Sequence, residues 1–339
     1  MLKIKKKDKS STSISFKTAK SSFSSSSKSN HNFNCNKINL HWSNNSCYID
    51  SLLVALFHRK NKFIQDNLLK AKIKDYGNFK LKQIALLIQT ELNEIFKSIS
   101  GFKDYTKPKT CSNLRKLLND YYKLLLTIRS DLKLIGTRDN WITSQNDIFD
   151  FMEFLIFIFD FKDTTKIIEE KKINLKSTTS SGLIDNKSIY FTNLLSMVPI
   201  EELINNDFLI LTDVYPIYKE VNILNKNKKL IKIIEIAKAD QLFIRIPRNI
   251  GRQKIKTKIL PPVSLQLREN SFKLFLTSII IHYGTHKTGH YICLFKCKNN
   301  LWYEYNDLAP NLVKLIGSFN DIIVNENYIS NIVGLIYSR

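Results

Sequence analysis

The stretch Asn44-Asn45-Ser46-Cys47-Tyr48-Ile49-Asp50-Ser51 runs straight into apolar residues at helical spacing: Ile49, Leu52, Leu53, Leu56 and Phe57. The pattern predicts an amphipathic helix beginning near Ser46 or Cys47. A thiol at a helix start meets the positive end of the dipole and unpaired N–H groups, both of which favour thiolate. Ser46 is a candidate cap, and the polar run predicts a sulfur open to solvent. A buried structural cysteine is the competing reading of this position.

Outward from this point, further helices are predicted over 81–96, 114–128 and 146–160, the last with a strongly apolar face. Residues 162–235 are polar, rich in Lys and Asn, and read as short strands with long loops. From Gln241 the texture turns to β, with Leu242, Ile244 and Ile246 alternating and strands expected over 275–283, 290–297 and 301–305. Helices first and strands later make an α+β layout, not an alternating βαβ one.

A second segment, His282-Tyr283-Gly284-Thr285-His286-Lys287-Thr288-Gly289-His290-Tyr291, ends in a histidine that opens an alternating strand. Gly289 allows close backbone approach just before it. If Cys297 pairs with Leu301 across the following turn, His290 falls opposite Leu308. One or two fewer loop residues move it to Asp307 or Asn306. Every register therefore brings an Asn or Asp near the imidazole, which needs such a group to fix its tautomer. Nucleophile, base and orienter come in the order Cys, His, Asn or Asp.

Other roles for these residue types weigh less. Cys293 and Cys297 fall on one face of a strand without a second cysteine pair, so they read as core thiols and no metal site is expected. His282 and His286 lie on a Gly-containing turn that suits a flexible loop better than a metal cage. Trp302, Tyr303 and Tyr305 read as core and rim of a hairpin rather than a base-stacking platform.

Composition narrows the classes. The chain has 339 residues, 43% of them hydrophobic, with a formal charge of +22 and five cysteines. It can build a sizeable core, and no apolar run reaches the roughly 18 residues of a membrane span. Odd, irregularly spaced cysteines make no disulfide framework, and no secretory leader is visible. An intracellular, reduced protein, cytoplasmic or nuclear, is the expectation. Among the 52 basic residues only nine are Arg, the preferred fork for phosphates and base edges. Lys, Asn and Ile can all be written in A/T-only codons, so nucleic acid is not expected as a partner beyond nonspecific contacts of the tail. That tail, residues 1–36, opens with thirty residues holding eight Lys, eleven Ser and one Asp, and reads as disordered.

These residues resemble the ubiquitin-specific proteases, papain-like cysteine enzymes. Asn45 to Ser51 is similar to their cysteine box. Gln145-Asn146-Asp147-Ile148-Phe149-Asp150-Phe151 is similar to the Gln-x-Asp-x-x-Glu-Phe segment. Leu242 to Arg248, with Lys254, Ile255 and Pro261, resembles the strand pair before the histidine box. Gly289-His290-Tyr291 with Trp302 to Asp307 resembles that box itself. The resemblance implies a papain-like α+β fold: a helical thumb (about 37–165), reduced fingers without a zinc site (166–235) and a β-rich palm (236–339). It implies Cys47 as nucleophile, His290 as base, Asn306 as orienter and Asp307 as its alternative or support. Gln145, Asp147, Asp150 and Tyr291 would meet the extended ubiquitin tail, whose arginine calls for carboxylates. No cofactor is implied, and ubiquitin or ubiquitinated proteins are the implied partners. Trp42 stands where the family's oxyanion-donating Asn is usual, leaving Asn44 or Asn45 as substitutes. Asp50 replaces another Asn. Together with the cysteine-free fingers, these departures also resemble a SUMO-directed branch, which makes SUMO the alternative partner; a degenerate ubiquitin-binding module is a further one.

Overall fold

A buried helix laid across one face of a mostly antiparallel sheet organises the chain. The computed structural model describes residues 35–100, 107–128, 140–144, 146–159, 165–174, 185–191, 195–198, 203–211, 217–225, 228–238, 240–266, 273–285 and 288–339. All of them belong to one compact unit, Phe33–Arg339.

Helix α1, Cys47–Phe57, has every residue buried, since it is surrounded by protein on all sides. Helix α2, Phe79–Ile99, is capped by Asn78, whose side chain accepts from Leu81 N; α3 spans Ser112–Ile128. Helix α4, Ile148–Ile158, is capped by Asp147, which accepts from Phe149 N at 2.7 Å. The four helices fall within or close to the stretches that periodicity predicts. No helix among the described residues is long and apolar enough to cross a membrane.

Strands follow. The first group is β1, Thr165–Asn174, β2, Asp185–Phe191, β3, Leu195–Met197, β4, Ile217–Asn225, and β5, Lys228–Lys238. Strands β2-β1-β5-β4, in that spatial order, form an antiparallel four-stranded sheet. This corrects the expectation of short strands: β1 has 10 residues and β5 has 11. The Lys and Asn content suggested loop, whereas recurrent β-branched Ile set the strand state.

The larger sheet adds β6, Gln241–Arg245, β7, Ser264–Gln266, β8, Lys273–Gly284, β9, Gly289–Lys296, β10, Trp302–Tyr305, β11, Val313–Gly317, and β12, Ile332–Ser338. Its order is β11-β10-β9-β8-β12-β6-β3, with β7 against β8. Period-two alternation divides its side chains between two cores. Tyr291, Cys293 and Phe295 of β9 face the helices, while Ile292 and Leu294 face a second apolar cluster with Leu242, Ile244, Ile279 and Trp302. The α+β papain-like class is the architecture observed.

Two cysteine expectations change. Cys293 is a buried free thiol, but Cys297 lies past the end of β9 and forms a disulfide with Cys35, with a Cα–Cα distance of 6.3 Å. The pair is 262 residues apart in sequence, so spacing held no clue to it. It corrects the reading of a fully reduced chain and of Cys297 as a core thiol. Cys35 is itself buried, within a stretch expected to be tail; residues 1–34 lie outside the described residues.

Candidate active site

Antiparallel pairing of Lys296 with Trp302 and of Cys293 with Tyr305 selects one register from those the hairpin allowed, in which Cys297 N donates to Leu301 O. Pairing ends at Tyr305, so the chain is free to bend Asn306 and Asp307 back toward His290. His290 Nε2 donates to Asn306 Oδ1 at 2.9 Å and lies 3.5 Å from Asp307 Oδ1. Leu308 N also donates to Asn306 Oδ1, at 3.1 Å, which fixes that atom as the acceptor. With the proton on Nε2, the neutral ring keeps its lone pair on Nδ1, ready to take a proton.

Cys47 opens α1, which packs against β9. The backbone N–H of Tyr291, next to His290, reaches the Cys47 sulfur. Gly289 is needed just before: a Cβ there would collide with the His282 ring and the Tyr283 carbonyl. His282 packs at a tilt against Tyr291, ring centroids 4.4 Å apart, and burial pulls its pKa down to about 4, so it packs as a neutral ring. His286 lies outside the described residues.

Two expectations about the thiol are corrected. Cys47 is only 3% exposed, and burial pushes its pKa up to about 11, with Asp307 and Asp50 adding to the rise and the Tyr291 N–H opposing it. The resting group is a sheltered thiol rather than an open thiolate. Ser46 makes no side-chain cap bond; its hydroxyl donates to Asp50 Oδ2 and accepts from Ser43 N at 2.9 Å.

Asn44 and Asn45 have φ of 46° and 62°, a left-handed turn that Asn tolerates better than most side chains. Asn45 Nδ2 donates to Thr143 O at 3.1 Å, so that amide braces the loop before α4. Sequence reasoning missed the group that holds this turn. Arg115 of α3, 1% exposed, donates through Nε to Trp141 O at 2.6 Å and through Nη2 to Ser144 O at 3.1 Å. Its Nη1 donates to Ser43 O at 3.0 Å and to Asn44 O. One guanidinium thus ties four carbonyls from two loops flanking Cys47. Its only sequence signal was a cation on the buried face of an amphipathic helix.

Of the expected tail-binding residues, Gln145 lies outside the described residues. Asp147 caps α4 and also pairs with Arg245 of β6 at 3.4 Å; Arg245 lies over the Phe149 ring at 5.2 Å. Asp150 is half-buried in the first turn of α4. Tyr291 is buried, its hydroxyl meeting the Ile148 backbone and lying near Asp147. The start of α4 and the histidine strand therefore meet beside Cys47. Among the described residues no group of three or more His, Cys, Asp or Glu side chains is arranged to hold a metal.

The family model of the ubiquitin carboxyl-terminal hydrolases matches residues 38–316. The chain belongs to that family. It is a cysteine-type deubiquitinase by that membership. No curated protein sequence matches the hydrolase. Among solved structures it is similar to a SAGA DUB module of Ubp8, Sgf11, Sus1 and Sgf73 bound to monoubiquitin, at 16% identity and a TM-score of 0.55, covering 90% of this chain and 70% of that one. It is similar to the SAGA Ubp8/Sgf11/Sus1/Sgf73 DUB module bound to ubiquitin aldehyde, at 16% identity and a TM-score of 0.54, covering 91% and 70%. These likenesses establish the fold of the hydrolase.

Proposed function

We propose that the hydrolase cleaves the isopeptide or peptide bond after the C-terminal glycine of ubiquitin, with Cys47 as nucleophile, His290 as general base and acid, and Asn306 as orienter supported by Asp307. The observation that carries this reading is the 2.9 Å bond from His290 Nε2 to Asn306 Oδ1, on a strand whose next N–H touches the Cys47 sulfur.

In this reading the Cys47 proton passes to His290 Nδ1 and the sulfur attacks the glycine carbonyl. Backbone N–H groups at the start of α1, with the Asn44 side chain, hold the oxyanion. His290 gives its proton to the leaving lysine amine as the C–N bond breaks, leaving a thioester. It then takes a proton from the attacking water; the C–S bond breaks and the thiol is restored. Asp147 and Asp150 accept the basic tail, and Asp147 exchanges Arg245 for the substrate's arginine. Cytoplasmic or nuclear action belongs to the same proposal.

Trp42, 42% exposed near the Asn44–Asn45 turn, and Asp50 keep SUMO as the second reading. The test compares ubiquitin and SUMO carrying a C-terminal fluorogenic amide. Faster release from ubiquitin is expected; release from SUMO alone redirects the assignment, and binding of ubiquitin with no release from either makes the chain a binding module. In the same assay Asn306→Ala is expected to lower kcat/KM by about 10²-fold, the scale of acid–base assistance, and Asp307→Ala by less. A larger loss in Asp307→Ala would make the carboxylate the principal orienter.

A further inference from the structure

Beside the triad, three buried carboxylate oxygens make no well-formed hydrogen bond: Asp50 Oδ1, Asp307 Oδ1 and Asp307 Oδ2. Both side chains are shut off from solvent. The two carboxyls nevertheless lie within hydrogen-bonding reach of each other. Two oxygens can meet in this way without loss only if a proton stands between them. The surroundings can be named element by element. Asp50 faces the Ser46 hydroxyl just before its own helix, the Cys111 thiol ahead of α3, and Tyr305 of β10. Asp307 faces His290 of β9 and the backbone N–H groups of Asp307 and Leu308. Cys47 feels both carboxyls. Among these neighbours His290 is the one group that can become a cation.

We propose that Asp50 and Asp307 share a single proton, and that Asp50 is a positioning residue that holds Asp307 as a singly charged acceptor beneath the His290 imidazole. The idea rests on the triad reading and adds a fourth member to it. Burial pushes both carboxyls above the usual range, and the neighbouring Asp307 charge adds to the rise at Asp50, the direction a retained proton requires. One shared charge can stabilise an imidazolium at His290, whereas two would oppose formation of the Cys47 thiolate. An Asn at position 50 would supply a permanent N–H donor; Asp supplies one only while it keeps its proton, which makes the support dependent on pH.

The sign follows from linkage. Unfolded, both carboxyls release their protons near the ordinary value of 3.8; folded, one proton is retained to higher pH. The stability tied to that proton is present below 3.8 and is lost as pH rises through the raised folded value. Asp50→Asn removes the loss, so its Tm advantage over the wild type should grow as pH rises above 3.8.

The deciding experiment uses the full chain. Infrared spectra at neutral pH should show an un-ionised buried carboxyl in the wild type and in Cys47→Ala, absent from Asp50→Asn. In ubiquitin-amide hydrolysis, Asp50→Ala should lose about tenfold or more in kcat. Asp50→Asn should recover most of that loss and lack the wild type's alkaline decline. No un-ionised carboxyl in the wild type, or Asp50→Asn as impaired as Asp50→Ala, overturns the shared proton. If the wild type hydrolyses neither ubiquitin nor SUMO amide, the triad reading fails while the infrared result still decides the pair. If Asp50→Ala does not fold, the Asn variant and the spectra suffice.

Discussion

Cys47→Ala is expected to lower ubiquitin-amide hydrolysis by about 10⁴-fold or more while leaving the protein folded. The loss is large because the sulfur is the only proposed bond-forming atom, and a site without its nucleophile keeps only what binding and the oxyanion donors supply. The fold should survive because the side chain removed is small and sits at the first turn of α1, where the Tyr291 N–H contact is local. Binding of ubiquitin should also survive, since the residues proposed for the tail lie at the start of α4. Parallel measurement of kcat, thermal unfolding and ubiquitin affinity checks all three. Loss of binding together with activity would mean that Cys47 is a structural thiol. Because Asp50 and Asp307 raise the Cys47 pKa, removal of the thiol should leave the buried carboxyl of the pair in place.

Arg115→Ala is expected to cost about 3–5 kcal/mol of stability, the scale found when a buried charged hydrogen-bonding group is removed and its partners are stranded. Four carbonyls lose their donor: Ser43 O, Asn44 O, Trp141 O and Ser144 O. The Asn44–Asn45 turn, at positive φ, loses the contact that holds it, so the start of α1 shifts and activity falls further than stability alone explains. Arg115→Lys should rescue little, because one ammonium cannot span carbonyls on two loops. Unfolding curves in denaturant, with hydrolysis measured well below the transition, separate the two effects. A Lys variant with wild-type stability and rate would reduce the guanidinium to a space-filler.

The parts of this site that the sequence made legible are those governed by local pattern. The Cys47 helix start could be read from the apolar run at 49, 52, 53, 56 and 57. The His290 strand could be read from alternation and from a glycine whose Cβ would collide with His282. Hairpin register needs only a few residues, so the meeting of His290 with Asn306 was within reach. What stayed hidden depends on long-range packing. The contact of Asp50 with Asp307 joins a helix to the far end of a hairpin, and nothing in either segment's periodicity announces it. Arg115 read as an ordinary helix residue because its carbonyl partners sit on irregular loops. The openness of the Cys47 sulfur was misjudged for a related reason: a polar local sequence says nothing about β9 arriving from far along the chain to cover it. The Cys35–Cys297 bridge escaped because it joins residues 262 apart in sequence, and the length of β1 and β5 because composition, not pattern, had guided that reading.

The most direct test of the account is labelling with ubiquitin that carries a thiol-reactive group in place of its C-terminal carboxylate, followed by peptide mapping. Predicted is a single covalent adduct on Cys47, lost in Cys47→Ala and strongly slowed in His290→Ala. An adduct on Cys111 or Cys293, or none on Cys47 with ubiquitin in excess, would contradict it.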